Sequence, residues 1–563
     1  MDLRLSGAAA TEVEREAIDA VLGPAVKAGS RVVRGGHRDR ERRHLLLPAL
    51  HALQDRVGWV SRGATEHLAE RLAVAPAEIH GVASFYHLLA THPGPKTVVH
   101  VCDDVACLAA GAGKLFAELD ASGAAWKRSP CLGHCEHGSA ALVRRAGGRG
   151  EALDVTLAPV TASQVTDLLA GGPAPSQGVP DLPAPGEFRA LRRARELGPD
   201  GVLAELAAGR LVGRGGAAFA TARKWEAVAR SQLRPRYVVC NADESEPGTF
   251  KDRVLLERDP YQVLEAMQVC GHVVGAERGF IYIRDEYPRA RSLVAAAIER
   301  LRADGLLEGF EIELRRGAGA YVCGEETSLF NSIEGHRGEP RNRPPFPVER
   351  GLFGRPTVIN NVETLVAVAR ILEEGGEAYG RLGTAGSAGT KLFCVSGAVE
   401  RPGLQEVEFG ATLGQLIELA GGVRSGHTLQ AVLLGGAAGS LVGAGRLDLP
   451  LTLEATREAK TTIGSGAVVV FDETSDLGEV AVRIARFFRE ESCGQCVPCR
   501  VGTVRQEEAL RRLFAGRPLG SREEELVRLK DIAQVMRDAS ICGLGQTAAN
   551  AVQSALVQLG MQA

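Results

Sequence analysis

Eight of the twelve cysteines fall into two quartets whose spacing suits iron–sulfur chemistry. Cys493, Cys496 and Cys499 form a C-x-x-C-x-x-C run in which Gly494 and Pro498 turn the loop so that three sulfurs face inward, and Cys542 follows in Ile541-Cys542-Gly543. Three thiolates on one tight turn with a fourth from a distant segment match a cubane [4Fe-4S] cluster. A structural zinc site more often draws on two separated C-x-x-C knuckles. The second quartet pairs Cys102 with Cys107 and Cys131 with Cys135. Two pairs on separate loops suit the two ends of a planar [2Fe-2S] rhomb, with zinc the rival on spacing alone. Two such quartets in one polypeptide predict electron transfer. Cys240, Cys270, Cys323 and Cys394 stand alone.

Three further segments combine small residues with polar ones. Gly213-Arg214-Gly215-Gly216-Ala217-Ala218-Phe219 precedes a predicted helix through Lys224 and Trp225. Glycines there let the backbone approach a phosphate, with helix N-terminal amides aimed at its charge. Asn241-Ala242-Asp243-Glu244-Ser245-Glu246 follows a predicted strand directly, at the sheet edge where α/β folds bind ligands. Residues 317–327, with Tyr321, Gly324, Glu325 and Glu326, repeat that arrangement. Taken singly, each could be a turn or a solvated acidic loop.

The elements that position these residues are read from periodicity. Residues 1–40 read as a flexible lead-in, and apolar spacing over 45–89 predicts several short helices. Thr97-Val98-Val99-His100-Val101 predicts a strand running into Cys102, followed by a helix near 115–119 and a strand at 140–143. Residues 171–187 are dense in Pro, Gly and Ser and read as a linker. Strands at 237–240 and 280–283 with helical patterns at 255–275 and 287–303 predict an α/β unit over 188–388. A smaller strand-rich unit spans 389–470, and a helical bundle carrying the first-described quartet spans 471–563. The fold class is therefore α/β multidomain.

Composition narrows the function. A chain of 563 residues needs several cores. A net charge of −3 recruits neither nucleic acid nor an anionic membrane. No run approaches the roughly eighteen apolar residues that cross a bilayer, so direct membrane insertion is not expected. The charged N-terminus, with Asp2, Arg4, Glu12 and Glu14, lacks a signal-peptide core, and a cytoplasmic location is expected. Closely spaced cysteines in such a chain point to metal or redox work rather than disulfides.

With these signatures in this order, the sequence resembles the flavin-containing 51 kDa NADH-oxidising subunit of respiratory complex I and its soluble relatives, fused behind a domain that resembles their thioredoxin-like 24 kDa [2Fe-2S] subunit. The resemblance covers roughly residues 45–170 and 190–560. It implies a helical bundle and thioredoxin-like domain over 41–170, an α/β FMN- and NAD-binding domain, a β-grasp (SLBB-like) domain and a helical [4Fe-4S] domain. Position by position, it implies that Gly213, Arg214, Gly215, Gly216 and Lys224 cradle FMN and that Asn241, Asp243, Ser245, Tyr321, Gly324, Asn360, Asn361 and Thr364 contact it. Phe219, Glu246, Glu326 and Phe346 then line the nicotinamide nucleotide site, with Glu325 beside them and with Glu326, Glu246 and Phe219 closest to the chemistry. The glycine-rich loop departs from the family pattern at Ala218, Ala220 and Ala222, as does Arg343 where Lys is usual. The gap from Cys107 to Cys131 is shorter than typical.

The implied cofactors are FMN, NAD and both clusters. FMN stands between them because nicotinamide yields a hydride and clusters take single electrons. No molybdopterin, nickel or quinone site is evident, so a catalytic partner subunit is implied. The fused layout resembles the beta subunit of soluble NAD-dependent formate dehydrogenase, whose molybdenum or tungsten alpha subunit would be that partner. The diaphorase subunit of an NAD-reducing hydrogenase and a fused complex I subunit are the alternatives. A zinc-bound scaffold without catalysis is the reading from another class. The glycines at 435–439 are expected to serve structure and cluster shielding.

Overall fold

The computed structural model describes residues 5–24, 41–148, 151–173 and 182–561. Helices Glu12–Leu22, Leu46–Val57, Arg62–Leu72 and Pro76–Ala83 form the first unit. The first of them starts on a capping box in which Thr11 and Glu14 bond reciprocally, and it buries Ile18 and Leu22. It lies within the stretch expected to be a flexible lead-in. That expectation fails here because Ile18 and Leu22, spaced i, i+4, make an apolar face that joins the bundle core. Residues 1–4 and 25–40 of the expected lead-in lie outside the described residues.

Strands β1 (Thr97–Cys102), β2 (Lys127–Ser129), β3 (Ala141–Arg145) and β4 (Leu153–Leu157) form a sheet in the order β2-β1-β3-β4. β1 pairs parallel with β2 and antiparallel with β3. Leu115, Phe116 and Leu119 from one helix and Val165 and Leu168 from another share a core with Val99, Val101 and Leu142. Of the predicted linker, residues 174–181 lie outside the described ones, and 182–187 form no regular element.

The third unit centres on four parallel strands, β5 (Tyr237–Ala242), β6 (Arg278–Ile283), β7 (Glu311–Arg316) and β8 (Thr357–Asn361), in the order β7-β6-β5-β8. Side chains alternate between faces. Val238, Cys240, Ile281 and Val358 pack under helices Arg189–Ala208, Pro260–Val274 and Val362–Glu374. Tyr237, Val239, Phe280, Tyr282 and Ile359 face the first unit's helices. The single helical pattern expected at 255–275 is two helices, Lys251–Arg258 and Pro260–Val274. Asp259 breaks them, its side chain accepting from the Tyr261 N–H at 3.0 Å while Pro260 lacks an amide hydrogen. The chain runs β5, β6, β7 in one direction and then returns to the far side of β5. That reversal lies between β5 and β8, the place where such sheets open a ligand crevice.

A five-stranded sheet follows: β9 (Thr390–Gly397), β10 (Gly403–Glu408), β11 (Leu429–Leu434), β12 (Ser440–Gly443) and β13 (Ala467–Asp472), ordered β10-β9-β13-β11-β12. Helices Leu477–Glu490, Val497–Phe514, Arg522–Ala539 and Asn550–Gln558 complete the described chain. One apolar core runs continuously from Ile18 and Leu50 through Tyr282 and Phe330 to Phe471, Phe488 and Ala555. No helix among the described residues is long and apolar enough to cross a membrane.

Candidate functional site

The site lies at the crevice between β5 and β8. The ends of the two strands are in register, Asn241 opposite Asn361. The glycine-rich loop closes on itself through the Gly213 N–H and the Phe219 carbonyl, 2.9 Å apart. A Cβ on Gly215 would stand 3.1 Å from the Asn361 side chain, and Gly216 has φ of +113°, open only to glycine at low cost. The loop is tied to the next helix by the Arg214 N–H, which donates to Thr364 Oγ1 at 2.8 Å. The Arg214 side chain turns away from the crevice. Its guanidinium is buried, donates to Tyr379 Oη and the Ala388 carbonyl at 3.0 and 2.9 Å, and covers the Phe409 ring. Its predicted place in a cofactor cradle is thus reduced to its backbone. Ala218, a departure from the family pattern, adopts φ of +51°.

From the end of β5, Asn241 Nδ2 donates to the Gly324 carbonyl at 2.9 Å and so joins two of the predicted segments. Asp243 is half-buried: Oδ1 accepts from Ser245 Oγ at 3.1 Å, while Oδ2 is shielded and has no partner among the described residues. Burial pushes its carboxyl up to about 8, against the opposing pull of Arg284. Glu246 Oε2 accepts from Tyr321 Oη at 2.6 Å and Oε1 from the Ala438 N–H at 2.9 Å, and burial raises its carboxyl to about 7. Ala438 belongs to the β11–β12 turn, and a Cβ on Gly436 would stand 2.5 Å from Glu246 Cγ. The turn at 435–439, expected only to shield and support, therefore forms one wall of the site.

Toward solvent, Lys224 Nζ donates to the Ile359 carbonyl at 3.0 Å and lies 3.7 Å from Glu326 Oε2, with Arg343 at 3.3 Å from Glu326 Oε1. Phe219 and Phe346 are each 51% exposed, and Phe219 lies under the Lys224 ammonium, 5.9 Å from its ring centre. Glu325 has two roles, its Oε1 lying 3.8 Å from Arg343 at the rim while its Oε2 serves the helix behind it. Its carboxylate caps helix Glu326–Ile333 by accepting from the Thr327 and Ser328 N–H groups at 2.9 and 3.0 Å. Asn360 is likewise engaged, its Oδ1 accepting from Trp225 Nε1 at 2.8 Å.

Beneath the crevice lies a buried ionic floor that no motif signals. Lys251 Nζ donates to Asp252 Oδ1 at 2.6 Å and to Asn361 Oδ1 at 3.1 Å, and lies 3.3 Å from Glu363. Lys391 Nζ donates to Glu363 Oε2 at 2.7 Å. Two lysines thus share Glu363. Lys251, which also has Asp252, keeps its proton firmly, whereas burial pulls Lys391 down to about 8.

The cysteine quartets are each brought together. Cys102 ends β1, Cys107 sits on the short helix Val105–Ala109, and Cys131 and Cys135 flank the turn after β2, all four buried. Cys131 and Cys135 sulfurs are 3.4 Å apart, and Cys102 lies within bonding reach of Cys107 and Cys131. Cys493, Cys496, Cys499 and Cys542 converge where helices Val497–Phe514 and Gly543–Thr547 begin, Cys499 and Cys542 buried and the other two partly exposed. Burial lifts the thiols of Cys499 and Cys542 to about 12 and about 11, values that binding to a metal would reverse. The C-terminal quartet adjoins the crevice. Tyr321 donates its N–H to Glu491 at 2.7 Å and packs edge-on to Phe487 at 5.0 Å, both on the segment leading to Cys493.

Residues 206–370 match the family model of the Nuo51 FMN-binding domain, and residues 479–560 that of the iron-sulfur binding region of NADH-ubiquinone oxidoreductase-F. Residues 35–149 match the thioredoxin-like [2Fe-2S] ferredoxins and residues 392–440 the SLBB domain. An NADH-quinone oxidoreductase polypeptide of Rhizobium meliloti (strain 1021), of the type designated F 2, is 40% identical over 383 residues, 66% of this chain and 90% of its own length. The alpha subunit of the NAD-reducing hydrogenase HoxS of Cupriavidus necator is 33% identical over 578 residues, 94% of this chain and 92% of its own, a match that takes in the fused N-terminal unit. A crystal structure of an NAD+-reducing [NiFe]-hydrogenase in the air-oxidised state superposes with a TM-score of 0.80 at 34% identity, covering 92% of this chain and 94% of that one.

Proposed function

Because the chain belongs to the family of NADH-oxidising flavin and iron–sulfur subunits represented in complex I and in NAD-reducing hydrogenases, we propose that its β5–β8 crevice holds FMN with NAD(H) at the outer rim, and that electrons leave through the C-terminal cluster to a catalytic partner. The cofactors are FMN, NAD(H), a [2Fe-2S] and a [4Fe-4S] cluster. One observation supports the residue assignment: contacts join the predicted segments at the ends of β5 and β8, Asn241 to Gly324, Gly215 against Asn361 and Tyr321 to Glu246, and Tyr321 bonds in turn to the segment leading to Cys493.

FMN, when bound, supplies the conversion between hydride transfer and single-electron steps. The chain's own residues position and shield. Gly215, Gly216 and Gly324 leave room for the ligand's close approach, and Asp243 offers a carboxyl, largely protonated at neutral pH, to its polar edge. Phe219 and Phe346 supply apolar faces against which a nicotinamide ring can stack and lose water. Lys224 and Arg343 fix Glu326 so that its carboxylate can accept hydrogen bonds from the nucleotide. Cys493, Cys496, Cys499 and Cys542 hold the [4Fe-4S] cluster, and Cys102, Cys107, Cys131 and Cys135 the [2Fe-2S] cluster.

For the partner, the fused layout supports the beta subunit of a cytoplasmic NAD-dependent formate dehydrogenase, paired with a molybdenum or tungsten alpha subunit. A second reading, a hydrogen-oxidising partner, has specific support in the likeness to HoxS alpha along 94% of the chain. The test has two parts. Anaerobically purified protein should show flavin and iron–sulfur absorbance that bleaches with NADH, and a colourless metallated protein would overturn the reading in favour of the zinc scaffold. The complex isolated with its native partner should then reduce NAD+ with formate. Reduction with hydrogen gas alone would replace the formate assignment with the second reading.

A further inference from the structure

Resting on the reading that Cys102, Cys107, Cys131 and Cys135 hold a [2Fe-2S] cluster, we propose that Arg284 sets the reduction potential of that cluster, its buried guanidinium holding the potential up. Arg284 leaves the C-terminal end of β6 and is 2% exposed. Its Nη2 donates to the carbonyl of the ligand residue Cys131 at 2.6 Å, and its Nη1 to the carbonyl of Glu244, in the loop that carries Asp243 and Glu246, at 2.7 Å. Its Nε has no partner among the described residues. Arg284 therefore belongs to the α/β unit yet bridges the flavin-side loop and the N-terminal quartet.

The surroundings keep this charge effective. The guanidinium lies over the Tyr287 ring at 5.0 Å, and Tyr287 Oη donates to Glu244 Oε2 at 3.1 Å. A Cβ on Gly133 would stand only 2.1 Å from Tyr287 Oη, so no room for water remains on that side. The Gly133 N–H points to Cys131 Sγ at 3.4 Å, a further favourable dipole on the same ligand. In a dry pocket a fixed cation acts on a neighbouring charge far more strongly than in water. Reduction adds one electron to the cluster, and the reduced, more negative state gains from the cation and the N–H donors, which raises the potential.

The carboxylates that face Arg284 divide into two kinds. Glu286 Oε1 accepts from Nη2 at 2.9 Å and offsets part of the charge. Asp243 and Glu244 are pushed by burial up to about 8 and about 7, so at neutral pH they counter it less. Glu286 thus provides a lever of opposite sign.

The experiment is an EPR-monitored redox titration of the full, cofactor-loaded chain at fixed pH, with iron content measured on every sample, for the parent, Arg284→Met, Arg284→Lys and Glu286→Gln. The [2Fe-2S] midpoint should fall in Arg284→Met, stay near the parent in Arg284→Lys and rise in Glu286→Gln. The [4Fe-4S] midpoint, whose ligands Arg284 does not touch, should hold still as an internal reference. Loss of packing alone would not move two neighbouring variants in opposite directions. An unchanged midpoint in cluster-loaded Arg284→Met overturns the proposal, and so does a fall in Glu286→Gln. If Arg284→Met loses its cluster, the sign of the Glu286→Gln shift decides. A parent protein with no [2Fe-2S] signal on reduction refutes the cluster reading itself, and the proposal with it.

Discussion

Asp243 keeps one carboxylate oxygen bonded to Ser245 and the other unpartnered, with its carboxyl raised by burial to about 8. An acid whose folded pKa is raised holds its proton longer folded than unfolded, so the stability it contributes is fullest at low pH and is lost as pH climbs through the window up to about 8. The flavin-free protein should accordingly melt at a lower temperature at pH 8 than at pH 5, and Asp243→Asn should flatten that slope in a thermal scan. The same variant should weaken FMN about tenfold, the worth of one hydrogen bond to a polar group, measured by flavin fluorescence. Glu326→Gln should raise KM for NADH about tenfold with flavin content unchanged, because Glu326 meets only the rim. Equal loss of nucleotide and flavin would remove it from that role. These residues were legible because glycine, carboxylate and cysteine clusters declare themselves by spacing. The side-chain directions of Arg214 and Glu325 were not legible in the same way: the motif shows type and position, while direction depends on partners such as Tyr379 and Thr327. The Lys251–Glu363–Lys391 floor had no local signal at all, since its members come from three separate elements.

Elements followed their periodicity closely. β5 and β6 are short apolar runs flanked by polar loops, as strands buried on both faces must be, and they appear where the pattern put them. The failures were at small scale. Helix Glu12–Leu22 was obscured by its charged outer face, and the break at Asp259 lay inside an apolar pattern that did not change phase. The β11–β12 turn is more instructive, because glycines chosen for tightness also let the backbone reach Glu246. Gly436→Ala would place a Cβ 2.5 Å from Glu246 Cγ at a φ of +76°. It should cost about 1–2 kcal/mol from the left-handed backbone alone and should alter NADH kinetics while leaving both clusters at parent iron content. Steady-state assays beside metal analysis would check this, and unaltered kinetics would detach the turn from the site.

At the scale of the molecule, units far apart in sequence are bolted by buried charge. Arg483 of the C-terminal helices donates to the Asp103 carbonyl and to Asp103 Oδ1, both at 2.8 Å, and lies 3.3 Å from Asp104. Arg316 joins Asp55 of the first helices, Asp154 of β4 and Asp285 beyond β6. Arg483→Leu should cost about 3–5 kcal/mol by leaving Asp104 buried without its cation, while Asp103 keeps Arg486 and Arg128 at 3.5 and 3.6 Å. Hydrogen exchange should then quicken across residues 97–145 before it does so in the four-stranded parallel sheet, and uniform protection would contradict the bolt. The order of units was readable from sequence; their mutual packing was not, because it rests on single arginines that look like any surface charge.

The continuous core has a consequence for how the protein is made. Leu46, Leu50, Leu68 and Tyr86 share that core with Phe330, Phe487 and Ala555, which are translated several hundred codons after them. Until the last helices are synthesised, the nascent N-terminal unit carries a sticky, half-finished face. That interval is also when Cys102, Cys107, Cys131 and Cys135 are still uncovered by Arg284 and Arg483, so biogenesis gives iron delivery to this quartet a window that closes once helix Leu477–Glu490 has docked.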